Sequence, residues 1–182
     1  MESKARLFGH PIHPMLIVFP LGLLVTSLIF DVVHAATGNA DFSIAAYWCI
    51  AGGIIGSLLA AVFGLWDWLG IPSGTRAKGV GLWHGVGNVV VVALFALSWW
   101  LRSGESGYVP GAPAMALSFI AVLLGAVSGW LGGELVDRLG VGVDTGAHLD
   151  APNSLSGRPA HENSAAVPSG RQTPASPASR AA

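Results

Sequence analysis

Four long apolar stretches carry nearly all the hydrophobicity of this chain, running approximately over residues 14–33, 43–66, 83–101 and 114–136. About 20 apolar residues suffice to cross a bilayer as a helix, so each stretch is long enough to span. With 52% hydrophobic and only 10% charged side chains, the chain lies far from a soluble domain, in which about a quarter of residues are charged. The expectation is an all-α, four-transmembrane-helix antiparallel bundle, with the lipid bilayer as its first partner.

Net charge is only -1, and no basic run with interleaved aromatics occurs, which argues against a nucleic-acid surface. The distribution of charge is more informative. Alternating crossings put Lys4, Arg6, Arg76, Lys78 and Arg138 in short flanks on one side, and only Arg102 on the other. The positive-inside rule then places both termini, and the loop between the second and third spans, in the cytoplasm. Tyr47, Trp48, Trp66, Trp68, Trp83, Trp99 and Trp100 fall near span ends, where amphipathic rings settle at the headgroups. Cys49 is the single cysteine and has no intrachain partner. Lys4 and Arg6, followed by an apolar run and His34-Ala35-Ala36, also resemble a cleavable secretory signal. The run is too long for one and contains Asp31, so retention of the first span is the simpler expectation.

The connections around residues 35–42, 70–82 and 102–113 are short and rich in Gly, Pro or Asn. Consecutive spans should therefore pack as antiparallel neighbours over a domain of residues 1–143. From residue 144 to 182 the chain is dominated by Ala, Ser, Pro, Gly and Asn, a composition expected to stay disordered. Gly52, Gly56, Ala60 and Gly64 in the second span, and Gly125, Gly129 and Gly133 in the fourth, are spaced by four. Each set lines one helical face for close packing within the bundle or in a homodimer. Leu58-Leu59-Ala60-Ala61-Val62-Phe63-Gly64 matches Leu123-Leu124-Gly125-Ala126-Val127-Ser128-Gly129, and His13 opens the first span much as His84 opens the third. Together these hint at a duplicated two-helix unit related by an axis along the membrane normal.

Seven polar residues gather at the expected cytoplasmic end: His10 and His13 at the start of the first span, Asp67 ending the second, His84 and Asn88 opening the third, and Glu134 and Asp137 ending the fourth. Helix dipoles favour the opposite arrangement, by about 0.3 to 1 kcal/mol per group. A histidine at an amino end is biased toward neutral imidazole, the form that binds metal. Three readings stay open: a structural network that caps the helices, a haem or transition-metal site with His13 and His84 as first ligands, and a proton-linked transport role. No tight metal motif such as His-Glu-x-x-His occurs. Asp31 and His34 share one face at the other end and read as structural.

Gly9-His10-Pro11-Ile12-His13-Pro14-Met15-Leu16, Gly64-Leu65-Trp66-Asp67-Trp68, Trp83-His84-Gly85-Val86-Gly87-Asn88 and Gly129-Trp130-Leu131-Gly132-Gly133-Glu134-Leu135-Val136 occur in that order. Taken together they resemble the bacterial membrane-protein family catalogued as domain of unknown function 2231, over about residues 5 to 143. The resemblance implies a four-span inner-membrane protein with no settled biochemical role. It also implies a redox setting and a redox partner protein, since relatives are joined to Rieske-type or cytochrome c-like modules. This chain has no Cys-x-x-Cys-His and no iron-sulfur ligand set, so a redox role would rest on the bundle itself. Without a nucleophile beside a base, a phosphate-cradling loop or paired carboxylates in a pocket, an enzyme is the minority reading.

Overall fold

The computed structural model describes residues 1–163. Four helical spans dominate it: the first is α1 (Ile12–Leu16) continued by α2 (Val18–Thr37), the second α3 (Ala40–Gly70), the third α4 (Arg76–Arg102) and the fourth α5 (Ala112–Gly133). All four are long and apolar enough to cross a membrane. Two short strands, β1 (Arg6–Leu7) and β2 (His10–Pro11), pair antiparallel as a hairpin before α1.

The second and third spans extend well beyond their apolar stretches, and side-chain caps mark where they begin. The Asn39 side chain accepts from the Asp41 amide and starts α3 only two residues after α2 ends, while Gly38 closes α2 in the left-handed region at φ 72. Thr75 likewise accepts from the Lys78 amide, so Arg76 and Lys78 lie in the first turn of α4 rather than in a loop. Polar composition at these positions marks helix ends that stand in the headgroup layer. At 1.5 Å per residue the 31 residues of α3 extend about 46 Å, against a hydrocarbon core of about 30 Å.

The first span is interrupted at Ile17 because Pro20 has no amide hydrogen to donate to the Leu16 carbonyl. The Pro20 ring packs against Gly56, where a Cβ would meet the ring Cδ at 3.2 Å. The fourth span ends in a wide π-turn over Glu134–Arg138, in which the Leu139 amide donates to the Glu134 carbonyl.

Packing runs α2 on α3, α3 on α4, α4 on α5 and α5 on α2, so α2 and α4 face each other diagonally. Leu24, Ile50, Val91, Phe95 and Ala121 form the buried centre. The large apolar side chains left exposed, among them Phe19, Leu58, Val89 and Leu123, form the surface that lipid covers. Tyr47, Trp68 and Trp99 turn inward instead of joining an interfacial belt: Trp99 stacks on Tyr47 at 5.1 Å, and the Trp68 indole donates to the Lys78 carbonyl.

The buried positions reveal an internal repeat. In the third span Val91, Phe95, Ser98 and Arg102 each lie 71 positions after a buried residue of the first, Pro20, Leu24, Ser27 and Asp31. In the fourth, Ala114, Ser118, Ala121 and Ser128 each lie 68 positions after Ala46, Ile50, Gly53 and Ala60 of the second. The register expected from Leu58–Gly64 against Leu123–Gly129 is offset by 65 and differs from this by three residues. Leu, Ala and Gly match too easily in apolar helices to fix it.

The membrane unit ends at Asp144, and Thr145 opens a second unit. Its described part holds a short 3-10 turn at Ser154–Ser156 and an Arg158–Glu162 ion pair at 2.9 Å. Residues 164–182, the last part of the expected disordered tail, lie outside the described residues.

Candidate functional site

The repeat gives the two span-opening histidines the same surroundings. His13 Nδ1 lies 2.9 Å from the Ala60 carbonyl oxygen, and His84 Nδ1 lies 2.9 Å from the Ser128 carbonyl oxygen. A carbonyl can only accept, so each ring donates from Nδ1, and in the neutral imidazole this leaves Nε2 unprotonated on the opposite edge. Each imidazole also lies on a glycine one turn beyond that carbonyl. A Cβ at Gly64 would stand 2.9 Å from His13 Cε1 and Nδ1, and one at Gly132 would stand 3.1 Å from His84 Cε1. The Ser128 hydroxyl donates to the His84 carbonyl at 3.1 Å, clamping α4 to α5 in both directions.

Across the diagonal between α1 and α4 the two rings meet in an edge arrangement, with centroids 6.4 Å apart and planes at 87°. Both are partly buried. Asn88, one turn deeper on α4, donates from Nδ2 to His84 Nε2 at 3.1 Å, which fits the assigned tautomer. Among the described residues His13 Nε2 has no hydrogen-bond partner.

Of the seven polar residues at this end, His13, His84 and Asn88 therefore come together. Asp67 serves a different contact: its carboxylate accepts from the Ser3 hydroxyl at 2.8 Å and from the amides of Lys4 and Ala5 at 2.9 and 3.4 Å. That pins the N-terminal segment across the end of α3. Glu134 pairs with Arg76 at 2.6 Å, bridging α4 and the end of the fourth span. His10 is exposed in the hairpin opposite Leu7, and Asp137 is exposed on the π-turn. The N-terminal segment is fastened again where the Met1 ammonium donates to the Gly140 carbonyl at 2.9 Å and Arg6 pairs with Asp144 at 2.6 Å.

At the opposite end Arg102 and Asp31 form a fully buried ion pair at 2.8 Å, both side chains at 0% exposure. Arg102 also donates to the hydroxyls of Ser98 and Ser118. Of His34 and Arg102, either of which the sequence offers to offset Asp31, Arg102 makes the ion pair, while His34 Nδ1 lies 2.9 Å from the Asn39 carbonyl oxygen. Sequence reasoning missed Ala60, Gly64, Ser128 and Gly132 as supports of the histidines. Registering the repeat on His13 and His84 would have pointed to them.

No group of three or more His, Cys, Asp or Glu able to hold a metal ion occurs among the described residues. The profile of a family described as predicted membrane protein, domain of unknown function 2231, matches residues 9–145. The chain belongs to this family. Its matched region spans the hairpin tip, all four spans and the π-turn, and so contains both histidines and both glycines. No curated protein and no solved structure matches the chain.

Proposed function

We propose that this member of the family is a membrane haem protein that carries electrons, with His13 and His84 as the residues that would hold the haem iron. The observation that carries the reading is the matched pair of imidazoles, each held by Nδ1 on a helix carbonyl with its centroid 6.4 Å from the other. An imidazole nitrogen sits about 2 Å from a bound transition metal, so two rings with centres 6.4 Å apart would both be within reach of one metal centre. The carbonyl bonds fix tautomer and ring orientation, as the outer partners of metal-bound histidines do.

Two ligands without a third argue for haem over a bare ion. A protein-bound transition-metal ion ordinarily takes three or four side chains, whereas haem iron has four ligands from its own macrocycle and needs only axial ones. A haem held by both histidines would supply one-electron redox chemistry, which favours electron transfer. Asn88 must release His84 Nε2 for ligation, and its amide would then be a polar group beside the ligand.

The cationic end of the bundle supports placing the site on the cytoplasmic side of a bacterial inner membrane, with both termini there. Burial of Arg102 against Asp31 leaves the opposite end with still less free positive charge. An electron carrier of this kind implies a redox partner protein.

Absorption spectra of the protein purified in mild detergent, from cells supplied with haem precursor, test the reading. A stoichiometric haem spectrum is expected, lost in His13→Ala and in His84→Ala but kept in His10→Ala. A wild-type protein without haem, or haem retained in both ligand variants, would overturn it.

A further inference from the structure

We propose that Lys4 and the lipid-facing side of the last turns of α3 form a binding site for an anionic phospholipid. An open, almost wholly apolar groove of about 470 Å³ is lined by Val62, Leu65, Trp66 and Leu69 together with Lys4. Val62, Leu65, Trp66 and Leu69 recur at the spacing of one helical face, and all four are more than half exposed. They offer a channel for an acyl chain, while the Trp66 indole suits the headgroup boundary.

Lys4 is positioned from two directions. Its amide donates to Asp67, and its aliphatic stem crosses Gly70, where a Cβ would stand 2.7 Å from Lys4 Cε. Other cations at this end of the membrane unit are already engaged: Arg6 with Asp144, Arg76 with Glu134, and Lys78 with the Trp68 carbonyl and ring. The Lys4 ammonium has no ion-pair partner among the described residues. An unpaired cation above an apolar groove at the membrane surface matches a lipid phosphate over its acyl chain. One lysine near an anionic surface contributes about 1 kcal/mol, which is about a fivefold preference.

Native mass spectrometry of the full chain in mild detergent, titrated with dioleoylphosphatidylglycerol or dioleoylphosphatidylcholine, reads that preference directly. The wild type should favour the anionic lipid about fivefold. Lys4→Gln should abolish the preference, and Gly70→Ala, which displaces the lysine stem, should reduce it. Arg138→Gln, an exposed charge outside the groove, should leave it intact. Inorganic phosphate at the lipid concentration should not compete. Equal binding of the two lipids by the wild type, an undiminished preference in Lys4→Gln, an equal loss in Arg138→Gln, or displacement by phosphate would each overturn the site.

Discussion

Gly64 and Gly132 show how much of the candidate site depends on atoms that are absent. At Gly64 an added methyl would sit 2.9 Å from two atoms of the His13 ring, so the ring must move off the Ala60 carbonyl. Gly64→Ala is expected to break that hydrogen bond at a cost of about 1 kcal/mol. The side-chain nitrogen resonances of selectively labelled histidine provide the check. The Nδ1–H signal of His13 should be lost in Gly64→Ala while that of His84 persists, and Gly132→Ala should do the reverse. Unchanged signals for both rings would show that neither glycine is needed for docking. The sequence displayed both histidines and both glycines, yet the glycines lay among many others in the two small-residue stripes. Their partnership with the imidazoles depends on helix register, which an apolar sequence encodes weakly because many alignments of Leu, Ala and Gly score alike.

At the scale of elements, the number and apolar character of the spans were legible because lipid demands them of any crossing helix. Their ends were not. Polar residues such as Arg76 and Lys78 read as loop, although Thr75 caps a helix that begins at Arg76. Asp67 illustrates a related ambiguity: a carboxylate at a helix carboxyl end reads as a candidate ligand, and the structure directs it to three consecutive residues of the N-terminal segment. Hydrogen bonds to an ionised group contribute about 1.5–3 kcal/mol, so Asp67→Ala should release the segment without melting α3. Hydrogen exchange tests this, with faster exchange expected at the Lys4 and Ala5 amides and no change in the central turns of α3. Protection retained at Lys4 and Ala5 would mean that the Met1 and Arg6 contacts hold the segment alone.

The whole molecule is governed by the repeat, and its two polar sites follow from that symmetry. Equivalent residues of the two halves that touch must lie close to the axis relating them. His13 and His84 do so at one end of the bundle, Asp31 and Arg102 at the other. The second pair is where the halves have diverged most in charge, since like residues there would bury two anions or two cations together. Removing one partner of a buried ion pair costs about 3–5 kcal/mol, so Asp31→Asn and Arg102→Met should each lower the melting temperature in mild detergent sharply. The exchange Asp31→Arg with Arg102→Asp should recover most of that loss, because each new residue enters an equivalent position. Recovery should stay incomplete for a specific reason. Arg102 donates to Ser98 and Ser118, and their counterparts across the repeat are Ser27 and Ile50, so an arginine at position 31 keeps one hydroxyl and meets an aliphatic chain where the other stood. Replacing Ile50 by Ser in the exchanged protein should restore part of the remainder. An exchanged protein no more stable than the single variants would show that the symmetry of the buried positions does not extend to this ion pair.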